Sequence, residues 1–153
     1  MNINILCVGK VKDSFNRQQI DMLCGQINRG NHNIRIMEYP DVEIPKRLKE
    51  SGKEAFIEKE CEKMISKITN RDYVIALCIE GKELSTKKHK MALKKAMEEG
   101  YDSVTYLIGG SLGLPKKLKE RANLQLSFSK MTFPHQLMRI VLCEEITRMI
   151  KDI

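Results

Sequence analysis

Short apolar runs rich in Val and Ile alternate along this chain with longer segments in which apolar residues recur at helical spacing. That alternation predicts an α/β fold with a mainly parallel sheet flanked by helices. Ile3 to Val8 reads as a first strand, and Asp13 to about Ile27, with Phe15, Ile20, Leu23 and Ile27 on one stripe, as a first helix. After a turn at Gly30-Asn31, Asn33 to Tyr39 alternates as a second strand, and Pro40 and Pro45 bracket a loop that cannot continue it. From about Gly52 to Thr69, the positions of Phe56, Ile57, Cys61, Met64, Ile65 and Ile68 predict one long amphipathic helix. Tyr73 to Ile79 reads as a strand buried on both faces, leaving through an exit loop at Glu80-Gly81-Lys82-Glu83.

Ser85 caps a helix expected to reach about Glu99 and stop at Gly100, and Ser103 to Ile108 follows as a fourth strand. Pro115 opens a short helix to Arg121, Asn123 to Phe128 makes a fifth strand, and Pro134 starts a last helix running close to Ile153. Leu137, Met138, Ile140, Val141, Leu142, Ile146, Met149 and Ile150 cover more of that helix than one core stripe needs, so part of it is expected to bury against a second subunit.

Two loops carry the candidate chemistry. Gly109-Gly110-Ser111-Leu112-Gly113 follows an apolar strand and lets the backbone approach a ligand with bare amides, although from this motif alone a plain tight turn before a helix is the favoured reading. It matches neither the phosphate-binding Gly-x-x-x-x-Gly-Lys-Ser/Thr pattern nor Gly-x-Gly-x-x-Gly after the first strand, which removes support for nucleotide hydrolysis and dinucleotide binding. Leu126 to Arg139 sets Ser127, Ser129, Lys130 and Thr132 among Phe128, Met131 and Phe133, ahead of Pro134-His135. The plain alternative makes Ser129 and Thr132 turn and capping residues and Phe128 and Phe133 core. A mixed wall of this kind also suits an adenosine-like ligand, with backbone groups on the base edge and apolar chains on its face.

Composition narrows the partners. The 153 residues fit a single domain, 1–153, and carry a net charge of +7, which favours an acidic partner, nucleic acid first. The clusters Lys87-Lys88-His89-Lys90 with Lys94-Lys95, and Lys116-Lys117 with Lys119 and Arg121, read first as solvated helix faces. His32 and His89 read as solvent-exposed. Five scattered Cys without a Cys-x-x-Cys pair suggest neither disulfides nor zinc, and no Trp with few aromatics argues against a stacking platform for single strands. No apolar stretch reaches membrane-spanning length, and no leader pattern opens the chain, so a cytoplasmic protein is expected.

Four stretches, Ile3 to Lys12, Leu77 to Lys82, Ile108 to Gly113 and Leu126 to Arg139, together resemble the RlmH family of SPOUT methyltransferases in order and spacing. These enzymes methylate N3 of a pseudouridine in the 23S ribosomal RNA of the large subunit. The resemblance implies a knotted SPOUT-type fold with a five- to six-stranded, mainly parallel sheet and a C-terminal trefoil knot. It implies a homodimer acting on RNA in the assembled ribosome, with no metal. S-adenosyl-L-methionine is then expected at Leu77, Gly109, Phe128, Ser129, Lys130, Met131, Thr132 and Phe133, with His135 and Arg139 as candidates for work near the RNA. The family continues past the last helix in a tail of the form Arg-Gly-Glu-x-Tyr-His-Lys, while this sequence closes at Lys151-Asp152-Ile153. Two readings are therefore carried forward, an active methyltransferase and a non-catalytic cofactor- and RNA-binding relative; a basic α/β domain without cofactor ranks behind both.

Overall fold

In the computed structural model, five strands and six helices alternate; residues 1–151 and 153 are described, His135 through its backbone only. The strands are β1 (Asn2–Val8), β2 (Asn33–Tyr39), β3 (Asp72–Glu83), β4 (Ser103–Ile108) and β5 (Leu124–Ser127). They form one parallel sheet in the order β2-β1-β4-β3-β5. The helices are α1 (Ser14–Asn28), α2 (Glu50–Glu60), α3 (Glu62–Lys67), α4 (Thr86–Glu98), α5 (Lys116–Arg121) and α6 (His135–Ile150).

Successive side chains of a strand point to opposite faces, and both faces here are covered. Ile3, Ile5 and Cys7 of β1 with Val104, Tyr106 and Ile108 of β4 pack on α1, α4 and α6. Leu6, Val8, Val74, Ala76 and Leu107 pack on the other side against Ile57, Cys61, Met64 and Leu118 of the α2, α3 and α5 layer. β4 lies between β1 and β3 and is buried at every position. Burial pushes the Cys7 and Cys61 thiols up to about 12, so both stay protonated and act as small apolar side chains.

Local signals set most boundaries. The Asp13 carboxylate and the Ser85 hydroxyl cap α1 and α4, accepting from the backbone N–H of Asn16 and Lys88, and Gly100 ends the α4 exit at a φ of 86°. Three expectations are corrected. The long helix from Gly52 to Thr69 is two, because Cys61 leaves helical geometry at φ −96° and ψ 8°, while its stripe of Ile57, Cys61 and Met64 stays buried across the break. The Glu80–Glu83 exit loop is strand: β3 shifts register between Leu77 and Lys82 and then resumes pairing with β5. Phe15, read at helical spacing with Ile20, Leu23 and Ile27, does not share their burial and is 65 % exposed.

The broad apolar surface of α6 has its main cause inside the chain. Leu142, Cys143, Ile146, Met149 and Ile150 are buried against the chain's own core, Met138 is buried beside the cavity described below, and Leu137 is the large apolar residue of the helix left exposed.

Candidate functional site

The carboxyl ends of β3, β4 and β5 open into a cavity of about 680 Å³. Crevices at this end of a parallel sheet are where α/β folds bind small molecules. One wall is the turn after β4. Gly113 donates its N–H to the Gly110 carbonyl at 3.0 Å and itself takes a φ of 88°, which favours glycine. A Cβ on Gly109 would lie 2.4 Å from the Gly113 carbonyl carbon and 2.8 Å from the Leu114 nitrogen, so no side chain fits there. The turn is thus a backbone surface folded tightly on itself.

The second wall is the segment after β5. Ser127 Oγ donates to the Ser129 carbonyl at 2.9 Å, and Ser129 Oγ accepts from the Met131 N–H at 3.0 Å, two local bonds that bend the chain away from the strand. Phe128 packs partly into the core, edge-on to His89, while Met131 and Phe133 are 77 % and 42 % exposed beside the cavity. Of the residues expected at a cofactor, Leu77, Gly109, Phe128, Ser129, Met131, Thr132 and Phe133 line the cavity, and Lys130 projects from the same loop, exposed.

Behind each wall sits buried polar support that the sequence did not reveal. Arg139 is wholly buried: Nη2 donates to the Val8 carbonyl at 2.7 Å and Nη1 pairs with Glu38 Oε2 at 2.8 Å. Glu38 Oε1 meets Arg17 at 2.6 Å and Oε2 accepts from the Val11 N–H. Burial alone pushes the Glu38 carboxyl up, but the Val11 amide with Arg17 and Arg139 outweighs it and holds the group below the usual range. The expectation that Arg139 faces RNA is therefore corrected for the single chain, where it ties α6 to the ends of β1 and β2. The His135 side chain lies outside the described residues.

His89 is also corrected. It is 2 % exposed, its Nε2 lies 2.7 Å from the Tyr106 hydroxyl, and burial lowers its pKa to about 4, so the ring is neutral. It backs Phe128. At the mouth, Lys119 pairs with Glu80, and that bond holds the Glu80 carboxyl down. The basic cluster around Lys119 thus has a partner on the β3 bulge.

Among the described residues no group of three His, Cys, Asp or Glu is placed to hold a metal, and no helix is long and apolar enough to cross a membrane.

Sequence comparison agrees with this geometry. Residues 1–151 match the family described as predicted SPOUT methyltransferase. The ribosomal RNA large subunit methyltransferase H of Streptococcus uberis is 40% identical over 148 residues, 97% of this chain and 92% of that protein. The methyltransferase H 1 of Thermoanaerobacter pseudethanolicus is 41% identical over 146 residues, 95% and 94% of the two chains. With a parallel α/β sheet, a glycine turn and a matched length that takes in nearly every residue, the chain belongs to the SPOUT methyltransferase family.

Proposed function

We propose that this protein methylates N3 of a pseudouridine in 23S ribosomal RNA, using S-adenosyl-L-methionine held in the cavity between the glycine turn and the Phe128–Phe133 loop. The observation that carries the reading is the glycine turn at the cavity, packed so closely on itself that Gly109 admits no side chain, which lets backbone line that wall. Bare amides suit the edge of an adenine, and the half-apolar wall of Leu77, Phe128, Met131 and Phe133 suits its face. Ser129 and Thr132 add hydroxyls, and Lys130 a cation at the rim.

When bound, the cofactor supplies an electrophilic methyl group on a sulfonium. The chain's own part is placement. Arg139, through Val8 and Glu38, and His89, behind Phe128, hold the two walls in register, and such alignment is where much of a displacement's rate comes from. Arg139 is on this reading a positioning residue, while His135, at the first turn of α6, is the candidate nearest the RNA. The charge of +7 favours phosphate contacts whose strength falls steeply with salt.

The reading extends to a trefoil knot around the cavity and to a homodimer acting on the ribosome in the cytoplasm. Exposed Phe15 and Met22 on α1 and Leu137 on α6, two helices packed on each other, support a second copy as their cover. Calorimetry with S-adenosylmethionine or its demethylated product tests the cofactor part, and a saturable heat of one ligand per chain is expected. No heat at saturating protein would refute it. Transfer of labelled methyl to ribosomes lacking the modification tests the rest; cofactor binding with transfer at background selects the non-catalytic RNA-binding alternative.

A further inference from the structure

A second cavity, of about 210 Å³, adjoins the same glycine turn, lined by Asp41, Val42, Glu43, Ile44, Glu60, Gly110 and Ser111. It is smaller than the roughly 300–1,000 Å³ that whole drug-sized ligands occupy, a size for a single ring. At its floor is Glu60, the last residue of α2, only 9 % exposed. Glu60 Oε2 accepts from the Val42 N–H at 3.1 Å, which fixes the carboxylate. Oε1 accepts no hydrogen bond from any described residue, yet is not sealed off, and it lies 2.8 Å from where a Gly110 Cβ would stand. A buried carboxylate with one filled and one open oxygen is an incomplete acceptor site.

We propose that this cavity receives the target base and that Glu60 Oε1 accepts an N–H of the ring, making Glu60 a specificity-determining residue for pseudouridine over uridine. The inference rests on the methyltransferase reading above. A pseudouridine joined to its sugar through carbon keeps an N–H at N1, where uridine has its glycosidic nitrogen and no hydrogen. An ionised carboxylate only accepts, so it rewards that extra donor. Asp41 and Glu43 at the rim repel phosphate, which keeps the RNA backbone outside while a neutral ring enters. The two cavities share Gly110 and Ser111, so they meet at the turn, and a ring held by Glu60 borders the cavity of the methyl donor.

The test compares methyl transfer by wild type and Glu60→Gln to large subunits carrying either pseudouridine or uridine at the target position. In E60Q the amide oxygen keeps the Val42 bond and the NH₂ group faces the cavity, donor against donor. The preference in kcat/KM for pseudouridine is expected to fall about 10- to 100-fold, the worth of one hydrogen bond to a charged group. Melting temperature and cofactor affinity should stay near wild type. A second readout needs no variant: a target carrying N1-methylpseudouridine, which lacks the donor, should be methylated by wild type as poorly as uridine. Full preference retained in E60Q, or equal rates on all three bases by wild type, would overturn the proposal while leaving the methyltransferase reading intact. Absence of cofactor heat and of transfer to every substrate would instead sink that reading, and this inference with it.

Discussion

The Gly109–Gly113 turn and the Phe128–Phe133 loop line the same cavity, yet they are made of different material. The turn is backbone packed on backbone, with 2.4 Å between a would-be Cβ and Gly113. The loop presents side chains, and its Met131 and Phe133 remain exposed. Each has its own buried support, Arg139 through Val8 behind the turn and His89 behind Phe128. The difference implies opposite sensitivities: the first wall fails when atoms are added, the second when they are removed.

Breaking the support of the glycine wall should have the largest effect. Arg139→Met leaves Glu38 short of one partner and the Val8 carbonyl without its donor, and about 3–5 kcal/mol of stability should be lost in urea unfolding. A loss below about 1 kcal/mol would mean that the clamp is not holding the strand ends.

The support of the loop wall is readable by pH. The folded His89 has a pKa of about 4, against about 6.5 in the unfolded chain. As pH falls the unfolded chain binds the proton first, so the contribution is full above about pH 6.5 and is lost progressively down to about 4. Denaturation across that window should show about 3 kcal/mol of loss beyond the carboxylate background, and His89→Gln should flatten it.

The walls themselves come next. Gly109→Ala should cost about 1–3 kcal/mol through overpacking and weaken S-adenosylmethionine binding tenfold or more in calorimetry. The double change Met131→Ala with Phe133→Ala should leave stability within about 0.5 kcal/mol and still lower cofactor affinity several-fold. If the alanine at 109 were tolerated while the loop changes unfolded the protein, the contrast between the walls would be reversed.

The elements most legible in the sequence are those decided by neighbours along the chain. β4 shows as six apolar-compatible residues in a row, and α4 starts at Ser85 and stops before Gly100 because a cap and a glycine need no distant partner. The break at Cys61 was not legible, since the apolar stripe runs through it unchanged. Nor was the continuation of β3 through Glu80–Glu83, which depends on β5 offering its backbone: a Cβ on Gly81 would come within 2.7 Å of Gln125.

The site divides in the same way. Its two walls are contiguous stretches whose mixture of glycine, hydroxyl and apolar residues marks them out. Their supports are not, because Arg139 finds Glu38 and Val8 at 101 and 131 residues' separation, and His89 finds Tyr106 and Phe128 only once the sheet has formed. Glu60 belongs with these. On the sequence it is one more charge on an amphipathic helix, and the Val42 bond that gives it meaning comes from the far side of a loop.

The most direct test of the two-wall account is a crystal structure with S-adenosylhomocysteine bound. The account predicts one ligand per chain seated between Gly109–Gly113 and Phe128–Phe133, with Met131 and Phe133 covered by it and the glycine turn unmoved. A ligand bound elsewhere on the chain, or a glycine turn that must unfold to admit it, would contradict the account.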